Sequence, residues 1–287
     1  MESLRRAVSV FGRAELLFVW YGLTISVLLV LHGQTVPGRW LWVLFHLAFI
    51  PAAWRLTHLR SAWLWCLIIM VWVITCFSTM GLYIADLVPE PMQWDVHALN
   101  QAIGGDAIQR ALSRPPAWLV EVCVISYSTF YFLPLALTIA LARRRKWLAI
   151  RHLIVLIGGG FLLSYLGYLC WPTLPPYRYL VFDDALVGGP LFPTLDRWLF
   201  EGEPLRQDCM PSGHTMMTVL TVWLAWIYSR RQLLWLLPLS FFLILGTLVL
   251  RYHWFVDLVA AIPFVLLALY LFDDPLARRE EGPAGVS

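Results

Sequence analysis

The sequence predicts an all-α protein, a polytopic transmembrane helical bundle of about eight spans. Three observations predict it. Of 287 residues, 60% are hydrophobic and only 14% charged, whereas a soluble domain keeps about a quarter of its residues charged. Apolar stretches close to the roughly 20 residues that cross a bilayer fill most of the chain. The basic residues fall in short runs between those stretches, where they act as topology signals.

In chain order, the apolar runs place spans near 14–31, 38–54, 63–84, 118–141, 150–170, 212–229, 233–250 and 254–272. The first follows arginines as a secretory signal would. It is long for such a segment, and Leu31-His32-Gly33-Gln34 has no small-residue cleavage site, so it reads as a retained helix. Residues 85–117 open with Pro89 and Pro91 and continue in a pattern suited to a short interfacial helix. Residues 171–211 carry seven prolines and exclude one continuous helix. The charged tail after Asp273 reads as frayed. Three regions follow: additional N-terminal helices over 1–62, a catalytic core over 63–272 and a cytoplasmic tail over 273–287. Lys and Arg are twice as frequent on one side of this layout as on the other, which places both termini in the cytoplasm.

Composition also excludes function classes. A net charge of +3 without a basic stripe excludes a nucleic-acid partner. Five cysteines without a CxxC spacing argue against a zinc or thioredoxin-like centre, although Cys170 and Cys209 flank the long outer loop. The glycine runs lack the companions of dinucleotide or Walker loops, so no such cofactor is expected. Oligomeric state is left open.

Ionisable residues in membrane helices are costly and mark function, and here they converge in three segments. These are Pro172 to Arg178, Cys209 to Thr215, and Arg251 to Asp257. The span layout, drawn without reference to them, puts all three on the outer face. His253 and Asp257 lie four apart at a helix start and share a face. The carboxylate can hold one imidazole nitrogen while the other attacks. Pro211-Ser212-Gly213 is a helix-start signal with Ser212 as N-cap, and a helix N-terminus favours an anion. His214 is placed to protonate a departing oxygen. Arg178 and Arg251 supply the positive charge that phosphoryl transfer needs. Glu121, near the outer end of the fourth span, reads as a partner for a neighbouring helix. The remaining histidines, His152 among them, read as interfacial anchors.

These residues resemble the membrane-bound type 2 phosphatidic acid phosphatase and haloperoxidase superfamily. Its Pro-Ser-Gly-His motif is intact at 211–214, and its His-x-x-x-Asp motif is matched by His253 and Asp257. The resemblance implies a six-helix catalytic bundle in which His253 becomes a phosphohistidine, Asp257 orients it and His214 is the general acid. Ser212 and Gly213 would cradle the phosphate, without a metal ion. The substrate implied is a membrane lipid phosphate. Three positions depart from the family pattern: Trp171 stands where a first-motif lysine is usual, Tyr179 where a proline follows the first-motif arginine, and Thr247 where an arginine precedes the third-motif histidine. Pro-Pro-Tyr-Arg and Arg-Tyr-His-Trp look more like the inositol phosphorylceramide synthase branch, whose members pass a lipid phosphate group to an alcohol. The expectation is therefore a lipid phosphatase, with a phosphotransferase or a non-catalytic lipid-phosphate binding or transport protein as alternatives.

Overall fold

The computed structural model describes residues 13–59, 61–87, 93–182, 184–202 and 207–282. Pro89, Pro91 and the end of the tail lie outside them. Among the described residues the regular structure is helical, apart from one isolated bridge pairing Thr173 with Asp208. The chain forms two compact units, Met1–Pro89 and Glu90–Ser287.

In the first unit, α1 (Arg13–His32) packs on α2 (Arg39–Leu47) and α3 (Phe49–Thr57), and α4 (Ala62–Met80) and α5 (Ile84–Leu87) follow. Phe18, Tyr21, Ile25 and Leu29 form a buried stripe at helical spacing on α1. Gly22 lets the backbone of α2 approach, because a Cβ there would lie 2.6 Å from His46 O. The apolar run near 38–54 is not one helix but two. Pro51 has no N–H to offer the carbonyl of Leu47, and its ring crowds that carbonyl, so the helix breaks there.

The second unit contains the short helices α6 (Gln93–Ala102) and α7 (Gly105–Ala111), then α8 (Ala117–Ser128) and α9 (Phe132–Arg143). These are followed by α10 (Trp147–Cys170), α11 (Pro176–Tyr179), α12 (Phe192–Gly202), α13 (Gly213–Tyr228), α14 (Leu233–Val249), α15 (Phe255–Phe272) and α16 (Pro275–Glu281). Helices α8 and α9 are bent by 54° at a break in the expected span. Pro134 removes a donor one turn after Phe130, and the hydroxyls of Ser128 and Thr129 return to Val124 O and Ser126 O in competition with the helix ladder.

Helix α10 is the central element, buried along nearly all its length. Its small residues set the packing. A Cβ on Gly159 would meet the Phe272 ring at 2.4 Å, one on Gly160 the Met217 methyl at 2.6 Å, and one on Gly167 Pro211 at 2.3 Å. Close backbone approach of this kind is how helices associate where lipid offers no hydrophobic gain.

Four described helices are long and apolar enough to cross a membrane, and the bent pair makes a fifth. The expected run of eight exceeds this because the segment near 38–54 is split, the helix Leu64–Met80 is short, and α13 has 16 residues.

The frayed tail is a correction. Asp274 and Pro275 are a helix start, and Asp274 accepts from Leu276 N and Ala277 N. Glu281 then caps the central helix, accepting from Leu148 N at 3.1 Å and Ala149 N at 2.8 Å. His152 is likewise no simple anchor. It is buried, with Nδ1 2.7 Å from Tyr228 OH and Nε2 3.3 Å from Asp273. Glu281→Gln weakens a charge-assisted cap and should cost about 1 kcal/mol. Thermal unfolding of the purified protein in detergent checks this, and an unchanged midpoint counts against the cap.

Candidate active site

Backbone hydrogen bonds bring the three polar segments together. After α10, Thr173 N donates to Gln207 O at 3.3 Å and Tyr177 N to Arg251 O at 3.2 Å. Trp254 Nε1 reaches Leu174 O at 2.9 Å. Ser212 N donates to Asp257 O at 3.0 Å. Residues far apart in sequence thus share one backbone frame at the starts of α13 and α15.

Each side chain is placed by its helix end. Ser212 is the N-cap of α13, accepting from Thr215 N at 3.2 Å and Thr215 Oγ1 at 3.0 Å. Its hydroxyl and its N–H are therefore both engaged in holding the turn. His214 follows in the first turn of α13. Asp257 lies in the first turn of α15, where its Oδ2 accepts from Trp254 N at 2.7 Å and stands 3.3 Å from His253 Nδ1. One carboxylate oxygen therefore caps the helix and orients the histidine.

The tautomer of His253 follows from its neighbours. Nδ1 faces two acceptors, Asp257 Oδ2 and Cys209 O, the latter at 3.1 Å, so Nδ1 carries the proton. Nε2 is left with its lone pair and points at His214 Nδ1, 3.3 Å away. His253 and Asp257 are buried, and His214 is partly open. Nε2 of His214 makes no hydrogen bond among the described residues.

Two aromatic residues absent from the sequence reading complete the wall. Tyr127 stacks on His214 with ring centroids 4.4 Å apart, and its hydroxyl is 3.2 Å from His214 Nδ1. Phe130 packs against the same ring at 4.3 Å. Both sit at the α8–α9 break. The signal was Ser126-Tyr127-Ser128-Thr129, a polar interruption within an apolar run. Tyr127→Phe keeps the stack and removes the hydroxyl, so turnover should fall several-fold through loss of one neutral hydrogen bond. A steady-state comparison of the two proteins checks this, and equal kcat/KM would remove the hydroxyl from the account.

The arginines behave differently from the histidines. Arg178 is exposed at the end of α11 and makes no side-chain hydrogen bond among the described residues. Arg251 is buried, donates from Nη1 to Asp184 O at 3.0 Å and from Nη2 to Ser113 O at 2.9 Å, and lies 3.9 Å over the Phe182 ring. Its backbone is left-handed, with φ 64°, a conformation few non-glycine residues adopt. Burial pulls its pKa down and Asp184 pulls it back up, but a guanidinium stays charged throughout. Thr247 is fully buried, with its hydroxyl returned to Ile244 O, and contributes no charge. Glu121 holds the start of α12, accepting from Leu191 N and Phe192 N.

Cys209, His253 and Asp257 bring potential metal-ligand atoms within 4.8 Å of one another. His253 Nδ1 in this set is already shared between two oxygens. Cys170 and Cys209 form no disulfide with each other.

A histidine pair and a carboxylate, set at the starts of apolar helices, define an integral membrane protein built for chemistry at one end of a helical bundle. The family model for the PAP2 superfamily matches residues 94–271, and the chain belongs to that superfamily. No curated protein and no solved structure matches the chain.

Proposed function

We propose that the chain is a lipid phosphate phosphatase that hydrolyses a lipid phosphomonoester or pyrophosphate through a phosphohistidine. The observation that carries the reading is the orientation of His253, whose Nδ1–H is held by Asp257 and Cys209 O while Nε2 faces His214. In the first step Nε2 forms a bond to phosphorus as the P–O bond to the lipid alcohol breaks, and His214 gives the leaving oxygen its proton. Asp257 stabilises the imidazolium that forms. Water then attacks phosphorus, returns a proton to His214 and releases phosphate. The N-terminus of α13 at Ser212 and the exposed Arg178 are the proposed phosphate-binding groups, whereas Arg251 is turned to the neighbouring cleft and Gly213 is taken up by packing on α10.

The same chemistry needs no metal ion in this reading. The excess of Lys and Arg in the runs on one side of the span layout expected from the sequence supports cytoplasmic termini and a site on the extracytoplasmic face, in the plasma or inner membrane if the chain is bacterial. A second reading, transfer of the phosphate group to an alcohol as in inositol phosphorylceramide synthases, is favoured by Trp171 in place of the family lysine and by a polar cleft beside the third motif.

The test is phosphate release by the purified protein from a panel of lipid phosphates in EDTA. Release in EDTA, with a base-stable and acid-labile phosphoenzyme trapped during turnover, supports the reading. Loss of release in EDTA that added metal restores would replace it with a metal-dependent one. Headgroup exchange without release would establish the transferase.

A further inference from the structure

The cleft beside the third motif has a volume of about 360 Å³. It is tied to the residues around His253 on both sides of that histidine. Arg251 forms part of its wall, two residues before. His97, another lining residue, packs 5.2 Å from the Trp254 ring, one residue after. Asn100, fully buried on α6, accepts from Val256 N of α15 at 3.2 Å and donates to Asp106 at 2.8 Å and Gln109 at 2.9 Å, which also line the cleft.

The lining has a definite chemistry. Gln101, Gln109 and His97 offer amide and imidazole groups suited to hydroxyls. Among the described residues its charges are not balanced internally. Arg114 is paired with Asp184 at 2.6 Å, and Asp106 is held by Asn100 and lies 3.6 Å from His97. Among the described residues Arg110 has no side-chain partner and the Nε–H of the buried Arg251 has no acceptor. A buried guanidinium N–H left without an acceptor costs free energy unless a ligand supplies one. The volume lies near the lower end for ligand clefts, about 300–1,000 Å³, which suits a headgroup and not an acyl chain.

We infer that this cleft is a headgroup subsite that takes a hydroxyl-bearing anion, a phosphorylated polyol, next to the phosphate attacked by His253. The inference rests on the phosphohistidine reading for the meaning of "next to" but not for binding itself. The anion sits on Arg251 and Arg110, and the hydroxyls sit on the amides of Gln101 and Gln109. The preferred substrate therefore carries a second polar group, and a bare phosphomonoester leaves the cleft unfilled.

The test uses the full chain purified in detergent, with glucose 6-phosphate, glucose and inorganic phosphate as calorimetric probes. Glucose 6-phosphate should bind at least about tenfold more tightly than either of the others, and equally well in His253→Ala. Arg110→Gln, a change at an exposed position where Arg251→Gln would disturb a buried one, should reduce that advantage about tenfold, and Gln101→Ala should weaken glucose 6-phosphate without affecting inorganic phosphate. Equal affinities, or an advantage unchanged in Arg110→Gln, would overturn the subsite. A kinetic arm separates a lipid headgroup from a free polyol phosphate. If the occupant is a headgroup, phosphatidylglycerol phosphate has a lower KM than phosphatidic acid, and Arg110→Gln removes the difference. If it is free, only the soluble probe discriminates. His253-dependent turnover without the binding advantage sinks the subsite alone, whereas the advantage without any turnover sinks the phosphatase reading alone.

Discussion

His253→Ala should abolish lipid phosphate turnover, by on the order of 10³-fold or more, while His214→Ala should produce a loss that depends on the leaving group. The first change removes the atom that bonds to phosphorus, and no neighbouring group is placed to replace it. Cys209 presents its carbonyl to the same ring, and its thiol is directed toward Tyr252 O. The second change removes a proton donor, and general acid help is worth roughly 10²–10⁴-fold when the leaving group is a poor one. A lipid alcohol is a poor leaving group, so its release should slow by about that factor. A phenolic phosphate with a good leaving group needs little protonation and should slow far less. Steady-state rates of both variants on a lipid phosphate and a nitrophenyl phosphate decide the assignment. Equal losses for His214→Ala on both substrates would make His214 a positioning residue for His253, in keeping with the 3.3 Å contact between the rings.

That contact adds a requirement. In the structure His253 Nε2 and His214 Nδ1 are hydrogen-bonded to each other, and a phosphoryl group attacked by Nε2 must enter between them. The substrate therefore has to displace His214, whose ring is held by Tyr127 and Phe130. Nε2 of His214 makes no hydrogen bond among the described residues, so in the imidazolium form, with a proton on each nitrogen, it is the one available to give a proton to the leaving oxygen once the ring has moved.

The helix-start chemistry was legible in the sequence because it is local. Pro211-Ser212-Gly213 and the His253–Asp257 spacing each specify their own geometry within one turn, and the structure builds both. What was not legible depends on partners distant in sequence. Tyr127 reaches His214 across 87 positions, and Glu281 caps α10 across more than 130. Arg251 shows the limit most clearly. Its proximity to His253 in sequence suggested phosphate binding, yet its φ of 64° and its bonds to Ser113 O and Asp184 O direct the guanidinium into the neighbouring cleft. The prolines at 51 and 134 were visible, but hydropathy averaged over a span does not register one missing donor.

Gly213→Ala should reduce activity on the order of 10²-fold, and Tyr168→Phe in the same chain should restore most of it. The resemblance to the family gives Gly213 a place in the phosphate cradle, whereas the packing gives it a different task. A Cβ at 213 would lie 2.5 Å from the Tyr168 hydroxyl, and the next contact, Ser164 Oγ, is at an ordinary 3.5 Å. Tyr168 is buried on α10, whose other approach to this turn is equally tight, with Gly167 beneath Pro211. The added methyl must therefore push the start of α13 away from α10. Overpacking of this kind costs about 1–3 kcal/mol, and a displacement of His214 by even a fraction of an ångström bears on a site where about 1 Å costs roughly 10²-fold. Removing the Tyr168 hydroxyl opens the space that the methyl needs, so the double variant should return to within several-fold of Tyr168→Phe alone. Were Gly213 required because phosphate must approach its backbone, the methyl would still obstruct the ligand and the second change would restore nothing. Rates and unfolding midpoints for the two single variants and the double variant separate these cases: recovery in both assigns Gly213 to the α10–α13 contact, and recovery of stability without activity assigns it to the phosphate.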